Sequence, residues 1–159
     1  MMARTYARPP GPDGTCEVVR VQIVDSYPVI VTDAIRECRD FYATWFGFEV
    51  AFEASWFVLL THPGAGAKSI AFMAPDHPSS PPSPGPYRGD GSFLTLQVED
   101  ATAEYERLVA GGLRCDLTLT DEPWGQRRFG VVDPAGLWID VVEQIDPKRG
   151  WWDAYLPEA

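Results

Sequence analysis

The run RRFGVVDPAGLWIDVVE, residues 127–143, sets two arginines and two carboxylates on either side of a tight turn. Asp140 stands in the middle of an otherwise apolar strand. A carboxylate in that setting can ligate a metal, contact a cationic or polar ligand, act as a general base, or pair with an arginine. Alternation along a strand puts Leu137, Ile139 and Val141 on one face and Trp138, Asp140 and Val142 on the other. The first set is expected to pack on a helix, so Asp140 is expected to face a pocket beside Trp138. Arg127 and Arg128, across the hairpin, are its candidate ion-pair partners. The residues leave the ligand contact and the structural salt bridge equally open.

Other chemistry is sparse. The two histidines, His62 and His77, each precede a proline and read as turn or linker residues. No Ser-His-Asp or Cys-His set can be assembled, and GAGAK at 64–68 lacks the spacing of a phosphate-binding loop. Three cysteines, Cys16, Cys38 and Cys115, form no CxxC pair. An odd number without pairs argues against a disulfide framework and for a reducing cytoplasm. Six tryptophans are available to line a binding surface. A formal charge of -10 excludes a phosphate-backbone binder, fits a cationic partner, and also serves solubility.

A repeat positions these residues. VIVTDAIRECRDFYATWFGFEVAF (29–52) and LQVEDATAEYERLVAGGLRCDLTL (96–119) both run strand, acidic cap, amphipathic helix, glycine, strand. Asp33 and Asp100 are expected N-caps, and Gly47 and Gly111-Gly112 expected stops. Ile35, Cys38, Phe41, Tyr42 and Trp45 share one helix face, and Ala101, Tyr105, Leu108 and Val109 the other helix's. Strands are expected at 49–53, 55–61 and 67–74, then at 114–119, 127–132 and 137–143, with an extra edge strand at 18–24. In DPAG, Pro134 and Gly136 suit a hairpin. The expected division is a flexible tail 1–17, a first module 18–75, a proline-rich linker 76–91, a second module 92–145 and an aromatic tail 146–159. The N-terminal stretch lacks the apolar core of a secretory signal, and no window is apolar for long enough to span a bilayer.

The doubled plan, with RDFYATWFGFEV and EPWGQRRFGVVDPAGLWIDVVE, resembles the vicinal oxygen chelate superfamily of glyoxalases, bleomycin-resistance proteins and dioxygenases. The resemblance covers roughly residues 28–145. It implies an α+β fold in which two tandem βαβββ modules form a curved, partly open mixed sheet around a pocket, and it implies a homodimer. It also implies four metal-ligand positions in metal-dependent members. These map to Asp140, to Ala71, to or beside Phe93, and near Ser26 or Tyr27. Only Asp140 is a carboxylate, so no metal or cofactor is expected. The expectation is a metal-free protein that sequesters or carries a small aromatic compound, with acidity favouring a cation. Trp138, Asp140, Phe93, Trp56, Trp124, Arg128 and Tyr27 are its expected ligand-binding residues. The alternative is a lyase, isomerase or dioxygenase. It would use an unconventional metal site with Asp140, Glu143 and a histidine, or metal-free acid–base chemistry by Asp140 with Arg128 or Tyr27. A third reading is a ligand-free accessory module acting through its dimer surface and C-terminal aromatics. Nucleic acid and membrane are not expected partners.

Overall fold

Alternating apolar and polar residues, punctuated by glycine, give each half of the chain four strands and one helix. The computed structural model describes residues 21–64, 68–82 and 85–156. The first half contains β1 (Val29–Val31), α1 (Ile35–Phe46), β2 (Glu49–Ala54), β3 (Phe57–His62) and β4 (Lys68–Met73). The second contains β5 (Phe93–Gln97), α2 (Ala101–Ala110), β6 (Leu117–Glu122), β7 (Gln126–Val132) and β8 (Trp138–Gln144), followed by a 3-10 turn at Trp151–Ala154. The two mixed sheets have the same order, β1-β4-β3-β2 and β5-β8-β7-β6, and neither closes on itself. In each, the first strand pairs in parallel with the last and the other pairs are antiparallel. This is the expected doubled α+β plan. No helix among the described residues is long and apolar enough to cross a membrane.

The helices start differently. At α2 the Asp100 carboxylate accepts from the Ala103 amide at 2.9 Å, as expected, and Glu143 Oε2 accepts from the Ala101 amide at 3.0 Å. At α1 the cap position is Ala34, one residue later than expected, and Asp33 makes no cap bond. Thr32 Oγ1 accepts from the Ala34 amide instead. Gly47 ends α1 in the left-handed region, at φ 69°, where a side chain would be strained. Val109, expected on the packed face of α2, is 45% exposed. The stripe that packs is Ala101, Tyr105 and Leu108, and Val109 lies about 100° further round the helix.

Residues 21–24 form no strand, which corrects the expected edge strand at 18–24 over its described part; 18–20 and the 1–17 tail lie outside the described residues. Trp56 does not open β3 but sits in the β2–β3 turn. The described part of 76–91 holds neither helix nor strand, as its prolines require, yet it is fastened. Tyr87 donates its amide to the Val31 carbonyl, and His77 stacks on Trp56 with centroids 4.0 Å apart.

One contiguous core joins both halves. It contains the helix-side residues Ile30, Val58, Leu60, Ile70 and Phe72 of the first sheet and Phe129, Val131, Leu137, Ile139 and Val141 of the second. At the seam lies the β7–β8 turn. Asp133 is buried there, and its Oδ1 accepts from the amides of Ala135 and Leu137, both at 2.9 Å. Its Oδ2 accepts from the buried Tyr42 hydroxyl of α1 at 3.1 Å. Burial pushes the Asp133 carboxyl above the usual aspartate range, against the bonds that favour its charge. Burial next to this carboxylate also pushes the Cys38 thiol up to about 12, so Cys38 is a packing residue and not a nucleophile.

Asp133→Asn keeps the acceptor for both turn amides and removes the titrating group. A carboxyl raised in the folded state contributes stability that is complete below the ordinary value of about 3.9 and is lost as pH rises through the raised value. The melting temperature of the variant minus that of the wild type is therefore expected to rise with pH across this window. Thermal melts over an acid pH series measure it, and a difference that falls or stays level contradicts the assignment.

Candidate functional site

Strand register assembles a site on the face of the second sheet turned away from α2. Phe93 pairs with Trp138 and Val132 pairs with Trp138 from the other side; Thr95, Asp140 and Gly130 form the next row, and Arg128 pairs with Val142. Residues paired across strands point to the same side. Asp140 thus faces away from the helix, between Trp138 and Arg128, as the alternation predicts. Leu137, Ile139 and Val141 enter the core, also as predicted.

Asp140 is only 5% exposed, and both of its oxygens are engaged. Oδ2 accepts from Arg128 Nη1 at 3.1 Å and Oδ1 from Trp138 Nε1 at 3.2 Å. Arg128 also donates through Nε and Nη2 to Glu122 Oε1, at 2.9 and 2.7 Å. Burial opposes the Arg128 charge, but the bonds to Glu122 and Asp140 outweigh it and hold the guanidinium above its ordinary value. Its carbon lies 5.1 Å from the centre of the Trp124 ring, a cation–π contact. The cluster of one cation and two carboxylates carries one net negative charge.

Gly130 explains the posture of Trp138. A Cβ built on Gly130 would lie 2.0 Å from Trp138 Cζ2, so the indole packs where only bare backbone leaves room. The half-buried indole is pinned by its bond to Asp140.

The expected site residues divide accordingly. Trp138, Asp140, Arg128 and Trp124 are gathered together, with Phe93 beside Trp138 on the same face and 63% exposed. Trp56 and Tyr27 belong to the first half: Trp56 is committed to its stack on His77, and Tyr27 precedes β1 and is 41% exposed. Arg127 is excluded as the partner of Asp140 because its side of the strand is the other one, where it pairs with Asp121 at 2.6 Å. Glu143 is likewise three residues from Asp140 and faces α2, so the two cannot share an ion. Sequence reading missed Glu122 and Gly130. A glycine inside the strand RRFGVV was a readable sign of close approach.

The matching face of the first sheet is apolar around Ala71. Val29, Ala71 and Leu59 form one row and Val31, Met73 and Phe57 the next. Ala71, the counterpart of Asp140, has no donor atom. The resemblance to metal-dependent relatives asks for ligands there and at or beside Phe93, and neither the Ala71 nor the Phe93 side chain can supply one. No group of three or more His, Cys, Asp or Glu that could hold an ion occurs among the described residues. The residues present therefore do not fit the family's metal. Two concavities lie against β1 and the linker, one of about 320 Å³ lined by Val29, Val31, Tyr87 and Arg88 among others; neither touches Trp138 or Asp140.

Comparison with known proteins agrees with this architecture. A glyoxalase/bleomycin resistance protein/dioxygenase from Nocardioides superposes with a TM-score of 0.65 at 20% identity, over 82% of this chain and 87% of that one. Lactoylglutathione lyase from Agrobacterium tumefaciens superposes at 0.60 and 19% identity, over 78% and 96%. TioX from Micromonospora sp. ML1 superposes at 0.60 and 20% identity, over 76% and 100%. These likenesses establish the fold. Among curated proteins no sequence matches the chain. The family model Glyoxalase/Bleomycin resistance protein/Dioxygenase superfamily matches residues 23–141, and with three quarters of its length so matched the chain belongs to that superfamily.

Proposed function

We propose that the protein binds a small planar organic compound, cationic in character, without a metal, and that it sequesters or carries this compound. The observation that carries the reading is the use made of Asp140. The only carboxylate at a family ligand position is already bonded by Arg128 and Trp138. What it then offers is an indole fixed in place beside a cluster of net negative charge. Aromatic surface with a few fixed polar groups is how proteins hold flat organic molecules, and an aromatic face also attracts a cation.

Catalysis by Asp140 competes with the same bonds. Both oxygens already accept a hydrogen bond, from Arg128 and from Trp138, and at 5% exposure the carboxylate offers a substrate proton little access. Arg128 stands as the partner of Asp140 and Glu122 and not as a free electrophile.

A second copy of the chain fits the surfaces left open. Phe93 and Val132 in the second sheet and Val29 and Phe52 in the first are between 39% and 63% exposed on the faces turned from the helices. Pairing the apolar face of one copy with the polar face of another would wall in a ligand at Trp138. A reducing cytoplasm suits the unpaired Cys38 and Cys115.

Tryptophan fluorescence titrated with a planar cation, proflavine, and a planar anion, anilinonaphthalene sulfonate, tests the ligand class. Saturable quenching by proflavine is expected, weakened about tenfold or more in Asp140→Asn, as removal of a buried charge partner implies. Equal binding of the anion, or no effect of the substitution, contradicts the reading. Gly130→Ala is expected to lift Trp138 from its seat and abolish dye binding while the far-ultraviolet circular dichroism is unchanged. Retained dye affinity in that variant would remove Trp138 from the site.

A further inference from the structure

The C-terminal aromatics were an open question in the sequence, and they pack within their own chain. Trp151 lies against Trp124 with ring centroids 5.8 Å apart, and meets Trp152 edge-on at 4.6 Å and Tyr155 at 4.7 Å. Trp152 Nε1 donates to the Trp124 carbonyl at 3.1 Å. The backbone is tied as well: the Lys148 amide donates to the Pro123 carbonyl at 2.9 Å and the Ile145 amide to the Gly125 carbonyl at 3.0 Å. Gly125 makes this approach possible, since a Cβ there would stand 2.8 Å from the Ile145 carbonyl oxygen.

The contacts among Trp151, Trp152 and Tyr155 brace the segment itself, and the others end on the β6–β7 turn, where Trp124 takes both the ring contact of Trp151 and the hydrogen bond of Trp152. Trp124 is pinned from its own strand too, through Nε1 to Gln126 Oε1 at 3.0 Å. The Trp124 ring is the surface on which Arg128 rests. An arginine side chain has several rotatable bonds, and two carboxylates at different places compete for its fork. A fixed aromatic plane on one side leaves it the geometry that reaches Glu122 and Asp140 at once.

We propose that the C-terminal aromatic turn is a positioning element of the site: Trp151 and Trp152 hold Trp124, and Trp124 holds Arg128 against Glu122 and Asp140. The proposal rests on the reading of the Asp140 face as a ligand site. It adds that the charge this face presents is set by a segment outside both modules. With the turn in place Arg128 is neutralised and the face favours a cation. With the turn displaced Arg128 is free to swing out, and the preference is weakened.

The test reads Arg128 directly in the full chain and needs no ligand. The Nε–H of Arg128, bonded to Glu122, is followed by nitrogen–proton correlation spectroscopy and assigned with Arg128→Lys. In the wild type its signal is expected to be shifted by the Trp124 ring current and to exchange slowly with solvent. In Trp151→Ala the ring-current shift is expected to be lost and exchange to quicken about two- to fivefold, the worth of an exposed cation–π contact. Trp152→Phe, which removes the bond to the Trp124 carbonyl and keeps an aromatic ring against Trp151, is expected to move both readouts the same way by a smaller amount. Circular dichroism confirms that each variant is folded. An Arg128 signal unchanged in shift and exchange in both variants overturns the proposal. Dye titration of the same variants adds the functional consequence: proflavine selectivity over the anion should fall in Trp151→Ala. Failure of the wild type to bind dye would count against the ligand class alone, because the Arg128 signal is read without dye.

Discussion

The structure depends on a single buried carboxylate, Asp133, at the point where its two halves meet. A turn at the seam of a shared core cannot leave its amides unbonded, since each such group costs about 1–3 kcal/mol. Asp133 satisfies two of them and then takes the Tyr42 hydroxyl of the other half as its third partner. This closes the β7–β8 hairpin and fastens it to α1 in one act. The hairpin fixes the register of β7 against β8, and that register decides which residues stand beside Asp140. A slip by one residue would turn Asp140 into the core and Ile139 out of it.

Two carboxylates on one strand show how little chemistry is decided by residue type alone. Glu143 points at α2 and serves its first free amide. Asp140, three positions earlier, points away and holds Arg128 and an indole. The two sheets share one topology yet differ on their open faces: one is apolar around Ala71, the other polar around Asp140. A superfamily that elsewhere distributes ligand positions over both halves has here become asymmetric. That asymmetry is what the proposed ligand, with an apolar body and one charged group, would use.

Much of this was legible in the sequence. The repeat revealed both modules because its caps and glycines have direct conformational meaning, as Gly47 and Asp100 show. Period-two alternation oriented Asp140 and Trp138 correctly because that strand is buried on its helix side. The failures have equally physical causes. Asp33 is not the cap because α1 begins one residue later, after Ala34, which has no side-chain oxygen to offer; the Thr32 hydroxyl accepts from the Ala34 amide before the helix begins. The stretch 21–24 has the pattern of a strand, but a pattern cannot supply a pairing partner. Glu122 escaped notice, and the C-terminal aromatics were noticed without their partner Trp124, because these roles arise from contacts between distant segments, for which local spacing carries no signal.

The central claim is that Asp140 is reserved for the protein's own arginine and for an organic ligand, and that no metal joins it. A native mass spectrum of the purified protein, recorded after incubation with excess zinc or manganese, tests this most directly. The account predicts a dimer without stoichiometric divalent ion, with any small organic adduct retained from purification revealing the mass of the ligand. A dimer carrying about one ion per site, lost when Asp140 is replaced by Asn, would contradict it.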